Sequence, residues 1–183
     1  MSESAPAPLV LQRRQRDQPP GAGGPGSFLR LSLSAEERSR LRGHRTSRCG
    51  RDLLLQLERG EPLLPGEWLL GGAADPPVLV EAAPEALLQV SADELLPLLQ
   101  AAYHLGNRHV ALEIRPSQLR LQADPVLADL LERRGLAVQS LEAPFLPEPG
   151  AYAGGHEPHQ AHPLSGHPHG HAHGQGPHPA PLA

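Results

Sequence analysis

The spacing of apolar residues changes at Pro84, and this change limits what the chain can fold into more than any single motif does. Upstream, the apolar residues fall in short runs with a period of two, broken by glycine and proline. PLVLQRRQR (8–16) predicts a short first strand, and the loop DQPPGAGGPG follows it. FLRLSLS (28–34) then alternates, with Leu29, Leu31 and Leu33 on one face. Ser34 and Glu37 have the spacing of a capping box, which predicts a short helical turn through EERSRLR with Gly43 at its end. DLLLQLE (52–58), EWLLG (67–71) and VLVEAA (78–83) predict further strands. Short strands, frequent turns and little helix mark residues 1–85 as a small β domain. Aromatic residues are only 3% of the chain, so the core must be built from leucine, valine and alanine.

Downstream, runs of period two alternate with runs of helical period. ALLQV (86–90) predicts a strand, and Ser91 with Glu94 a second capping box. The helix after it places Leu95, Leu98, Leu99, Ala102 and Tyr103 on one stripe and ends near Gly106 or Asn107. Pro97 inside it should bend the helix or shift its start. HVALEIR (109–115) and QLRLQ (118–122) predict a hairpin across a Pro-Ser turn. Asp124 and Pro125 start a second helix, with Val126, Leu127, Leu130 and Leu131 as its apolar stripe and Gly135 as its stop. LAVQSLEA (136–143) is the last strand. The order β-α-β-β-α-β is the ferredoxin-like plan, expected over residues 86–147. The predicted fold class is therefore α+β. From residue 148 hydrophobic periodicity is absent, which predicts a disordered tail over 148–183.

That tail holds eight of the eleven histidines: His156, His159, His162, His167, His169, His171, His173 and His178. Neutral imidazole is a borderline ligand suited to nickel, copper, zinc or cobalt, and His-x-His spacing with glycine lets a chain wrap an ion. Flexible imidazoles follow the general affinity series, so the tail says metal without saying which one. Two further histidines flank a helix end in AAYHLGNRHV (101–110). On the residues alone, His104 reads as a side chain complementing a helix C-terminus and His109 as a surface histidine. A single imidazole becomes a site only if something else supplies ligands, as a twofold dimer can by presenting the same residue twice.

Other function classes find little support. We find no GxSxG, HExxH, P-loop or CxxC pattern, so no enzyme is indicated. Cys49 is the sole cysteine and excludes an internal disulfide, which favours a reducing compartment. The opening residues lack the order of a signal peptide, and no apolar run approaches a membrane span, so a cytoplasmic location without a membrane is expected. Residues 1–60 carry eleven arginines against six acids, although the net charge is −4. Arg38, Arg40, Arg42, Arg45, Arg48 and Arg51 with His44 could contact nucleic acid, but a solvated or partner-facing surface explains them better. RNA binding would need stacking aromatics on the two hairpin strands, which have none.

The segment AAYHLGNRHVALEI resembles the signature of the UreE urease accessory proteins, which carry nickel. LSAEERSRLRGHRT (33–46), LERGEPLLPGEWL (57–69), VEAAPEALLQV (80–90) and VQSLEAPFLPEPGAYAGGH (138–156) extend the similarity, in the same order, over most of residues 8–156. The resemblance implies an N-terminal β domain of two small sheets, similar to a chaperone peptide-binding module, and a ferredoxin-like metal-binding domain. It implies a homodimer in which His109 of each chain shares one Ni2+ at the interface, with His104 peripheral. Tail histidines would add ligands and capacity, and Zn2+ or Cu2+ would compete. The implied partners are the urease apoprotein and accessory proteins including the accessory GTPase. Residues 122–125 carry no histidine where such proteins often do, and Pro97 and Glu67 are atypical. A histidine-rich Ni or Zn store without a client, and an Arg-rich adaptor, are the competing functions.

Overall fold

The computed structural model describes residues 7–149 apart from Pro25. It is a mixed α+β molecule with three sheets and three α-helices among the described residues. The first strand expected over 8–16 is two strands, β1 (Leu9–Leu11) and β2 (Arg13–Gln15), which belong to different sheets. The chain changes partner at Gln12, whose N–H donates to the carbonyl of Leu70 at 3.0 Å. After β3 (Leu29–Leu33) comes α1 (Ala35–Ser39), capped as expected by the reciprocal bonds of Ser34 and Glu37. Gly43 does not end that helix. It lies inside β4 (Arg42–Thr46) with φ of 117°, and the helix is left at Arg40, already extended.

With β5 (Asp52–Gln56), β6 (Trp68–Leu70) and β7 (Val78–Ala82), these strands form two sheets, β1-β5-β4 and β2-β6-β7-β3. β1 runs parallel to β5, and β3 runs parallel to β7. Alternation sends Leu11, Leu53 and Leu55 from one sheet and Leu31, Leu33, Leu69, Val78 and Val80 from the other into one core. Each such leucine contributes about 1.5–3 kcal/mol by leaving water. Aliphatic residues make up that whole cluster, as the scarcity of aromatics required.

The remaining strands form one antiparallel sheet covered by two helices. β8 (Pro84–Ser91), α2 (Leu95–Gly106), β9 (Glu113–Arg115), β10 (Gln118–Gln122), α3 (Pro125–Glu132) and β11 (Ala137–Pro144) follow in β-α-β-β-α-β order. The sheet order is β11-β8-β10-β9, the connectivity of a split βαβ unit. The hairpin across Pro116 and Ser117 is present, pairing Arg115 with Gln118. Asp124 caps α3 through the N–H groups of Val126 and Leu127, with Pro125 at its first turn.

Three expectations need correction here. Ser91 is not a cap. It is paired to Gln118 on one side and Ala137 on the other, so the strand holds it. Glu94 takes the N-cap position without a side-chain bond. The helix therefore starts at Leu95, the shifted start that was one of the two outcomes expected of Pro97, which falls in the first turn, where an N–H would have no partner within the helix. Proline there costs little. The strand expected from residue 109 begins only at Glu113. In α3 the exposed Val126 is off the buried stripe and Ala128 is on it.

The face of α2 that is buried also differs from the expected one. Leu98, Ala101 and Leu105 meet the sheet, with Ala102 partly covered, whereas Leu95, Leu99 and Tyr103 are 62%, 57% and 66% exposed. None of the helices is long and apolar enough to cross a membrane among the described residues.

Hydrogen bonds tie residues 33–38 to residues 83–85 and to Phe145. The Ala35 N–H donates to Glu85 Oε1 at 2.8 Å, and the Ala83 N–H donates to the Leu33 carbonyl. Arg38 is 4% exposed, so it is not part of a solvated arginine surface. Its guanidinium donates to the carbonyls of Leu33 (3.2 Å) and Phe145 (2.6 Å), which lie 5 and 107 positions away. Burial lowers its pKa, and the Glu85 carboxylate raises it again. Arginine remains charged under such shifts, so the joint holds a cation satisfied by carbonyls.

Candidate metal-binding site

The end of α2 sets the geometry around the two histidines of AYHLGNRH. His104 lies in the last helical turn, exposed, with its ring edge-on to Tyr103 at 5.5 Å between centroids. Beyond it, Val110 N–H donates to the Leu105 carbonyl (3.1 Å) and His109 N–H to the Gly106 carbonyl (2.9 Å). These are the 6→1 and 5→2 bonds of a Schellman turn. Val110 packs against the cluster that contains Leu105, which completes the hydrophobic half of that motif. His109 thus occupies the position that glycine usually takes. Its φ is 57°, the one positive value at a non-glycine residue among the described residues. A left-handed conformation costs an L-residue with a Cβ about 1–2 kcal/mol.

The turn holds the His109 backbone by hydrogen bonds on both sides, and its side chain is exposed. Among the described residues, no three His, Cys, Asp or Glu side chains come together to enclose a metal. His104 and His109 flank the end of α2 without a third such side chain joining them among the described residues, and His44 lies elsewhere, on β4, with its Nδ1 3.3 Å from Asp52 Oδ1. His156, His159, His162, His167, His169, His171, His173 and His178 lie outside the described residues. Among the described residues, His109 is the histidine held at a positive φ, and one imidazole alone leaves most of a metal's coordination positions open.

Two features near that imidazole were not identified from the sequence. The first is the exposed row Leu95, Leu99 and Tyr103, spaced by four along α2, with Leu96 beside it at 62% exposure. A helix apolar on more than one side signals burial on more than one side, and that signal was already in LLPLLQAAYHL. The second is where the chain leaves β11. Phe145 is buried, Leu146 N–H donates to Glu113 Oε2 (3.1 Å), and Glu148 N–H donates to the Leu112 carbonyl (2.7 Å). Glu113 is itself buried and paired with Arg115. Residue 148 is thereby fixed beside Leu112, three positions after His109.

The other candidates resolve differently. Of the arginine cluster, Arg40 pairs with Glu36, Arg48 with Glu81, and Arg42 and Arg51 bond backbone carbonyls. Cys49 is exposed with its thiol 3.2 Å from the Ser47 hydroxyl, and that hydrogen bond, more than any other influence, lowers its pKa.

Comparison with known proteins bears on this arrangement. The model of the family described as UreE urease accessory protein, C-terminal domain, matches residues 85–175. The chain is 55% identical over 147 residues to the urease accessory protein UreE of Synechococcus sp. (strain WH7805), covering 80% of this chain and 84% of that one. It is 52% identical over 148 residues to the protein of the same name from Parasynechococcus marenigrum, covering 81% and 95%. With that of Azotobacter vinelandii it shares 50% over 135 residues, covering 73% and 78%.

Proposed function

The chain belongs to the UreE family of urease accessory proteins, and from that membership we propose that it is a nickel carrier for urease maturation. The observation that carries this reading is His109, an exposed imidazole held at a strained turn position that glycine would fill more cheaply. Strain kept in a well-bonded turn points to a use for the side chain. We read residues 1–85 and 86–147 as two domains, with the second, ferredoxin-like, presenting the metal site and residues 148–183 adding the histidine tail.

Nickel is cargo in this reading. Neutral imidazole is a suitable ligand for it, yet one imidazole cannot hold it selectively. The apolar row of Leu95, Leu99 and Tyr103 lies on the same helix as His104 and leads into the His109 turn. Packing that row against its copy in a homodimer would bury it and bring two His109 side chains to one axis. Two imidazoles leave positions open for tail histidines such as His156 and for an incoming ligand. The ion then passes to the urease apoprotein or to an accessory partner such as the GTPase by ligand exchange, in the cytoplasm. Zn2+ and Cu2+ compete for the same donors. His104 takes a peripheral role.

The test is calorimetric Ni2+ titration of the chain shortened to residue 149. One tight ion per two chains is expected, and it is lost in His109→Ala but kept in His104→Ala. A half-site that survives His109→Ala overturns the assignment. Capture of urease accessory proteins by the full chain separates a carrier from a store, which would take up nickel and bind none of them.

A further inference from the structure

We propose that the cleft between β2 and residues 57–60 takes an extended acidic segment of a protein partner, added as a strand to the free edge of β2. Among the described residues β2 is the edge strand of its sheet, paired only with β6. The vacancy beside it follows from the change of partner at Gln12. Through β1 the chain runs alongside β5, with Leu11 opposite Leu55, and Gln12 Nε2 still reaches Gln56 Oε1 at 3.4 Å. Beyond that point the two segments part. Gln12 N–H turns to the Leu70 carbonyl, while Leu57 N–H turns to the Leu41 carbonyl.

The parting leaves a cleft of about 510 Å3, walled by residues 12–15 on one side and 57–60 on the other, with Leu70 at its side. That volume is within the roughly 300–1,000 Å3 of ordinary ligand pockets. A sheet edge offers backbone donors and acceptors to an incoming strand, and pockets for its alternate side chains supply specificity. The edge of β4 is different, because Arg45 donates across it to the carbonyls of His44 and Arg40. A side chain blunts one edge, and β2 is left open.

The walls determine the chemistry of the occupant. Arg13, Arg14 and Arg59 line the cleft, against a single carboxylate, Glu58. Arg13 donates to the Gly71 carbonyl and Arg14 to the Glu61 carbonyl, with Glu67 Oε1 3.7 Å from Arg14. A guanidinium has five N–H donors, so both keep donors to offer. Arg59 makes no side-chain hydrogen bond or ion pair among the described residues, and Arg13 and Arg59 are exposed. Even with Glu67 beside Arg14, three cations outnumber the carboxylates of Glu58 and Glu67, which attracts carboxylates and repels ammonium groups.

The test uses the full chain, free of metal, and a labelled blocked hexapeptide of alternating Glu and Val, read by fluorescence anisotropy. Binding is expected to weaken with salt, because exposed charge pairs are screened. The double variant R13E/R59E should lose affinity by about ten-fold or more, as charge reversal at a complementary surface does, and R134E, exposed just beyond α3 and outside the cleft lining, should not. Methylating alternate backbone nitrogens of the peptide should abolish binding. No binding of the acidic peptide, equal binding of its lysine counterpart, equal binding of the methylated form, or loss in R134E instead of R13E/R59E would each overturn the proposal. Both altered arginines are exposed, and unchanged circular dichroism of each variant confirms that it folds.

Discussion

Glycine would fill position 109 at no steric cost, so the histidine there sets stability against function. The turn needs φ near 57° to close its two hydrogen bonds, and it gains nothing from a Cβ. His109→Gly should therefore stabilise the fold, by about 1 kcal/mol on the left-handed penalty of a residue with a Cβ, while removing the proposed nickel site. His109→Ala keeps the penalty and should lose nickel without any gain in stability. Denaturant midpoints and Ni2+ titrations of the two variants check this. If glycine destabilises the chain, the imidazole is making a structural contact and the strain argument fails. Arg38 teaches the opposite lesson at the same scale. In sequence it was one arginine among six, and only folding shows it buried between Leu33 and Phe145. A residue's neighbours in sequence say little when its partners are 107 positions away.

At the scale of elements, α2 is where reading the sequence succeeded and failed together. Its existence, its approximate end and the presence of a histidine at each side of that end were legible from LLPLLQAAYHLGNRH. Which face meets the sheet was not, because apolar residues occur on two sides and periodicity alone cannot rank them. The small Ala101 with Leu98 and Leu105 fits the close approach to the sheet, and the larger side chains point out. Ser91 failed for a related reason: pairing on both sides outweighed a local capping preference. The change of sheet at Gln12 was also invisible, since one alternating run serves two sheets equally well. The caps of α1 and α3 were legible, because their chemistry is local to the chain. If the outward face of α2 is the dimer contact, Leu99→Glu should turn the dimer into monomer. Burying a carboxylate there costs far more than leaving it in water. Light-scattering mass at micromolar concentration checks this. A mass unchanged from that of the parent dimer would show that the copies meet elsewhere.

For the whole molecule, the place where residue 148 is held matters most. The bond from Glu148 N–H to the Leu112 carbonyl fixes the start of the following residues near the His109 turn. His156 comes eight positions later, within about 29 Å of extended chain. A histidine on such a tether has a high effective concentration at the nearby site, which a free peptide lacks. Nickel caught by His156 to His178 should thus reach His109 faster than nickel from solution. We expect the full chain, given limiting Ni2+ with free histidine as competitor, to load the His109 turn faster than the chain cut at residue 149. Adding residues 150–183 as a separate peptide should not restore the rate. Paramagnetic broadening of the Arg108 and Val110 amides reads the loading directly. Ligation needs neutral imidazole, and histidine in model peptides titrates near about pH 6.5. The sign follows: lowering the pH protonates the tail donors, so the advantage of the full chain should shrink below about pH 6. An advantage of equal size at pH 5 and pH 8 would show that the tail acts through something other than its histidines.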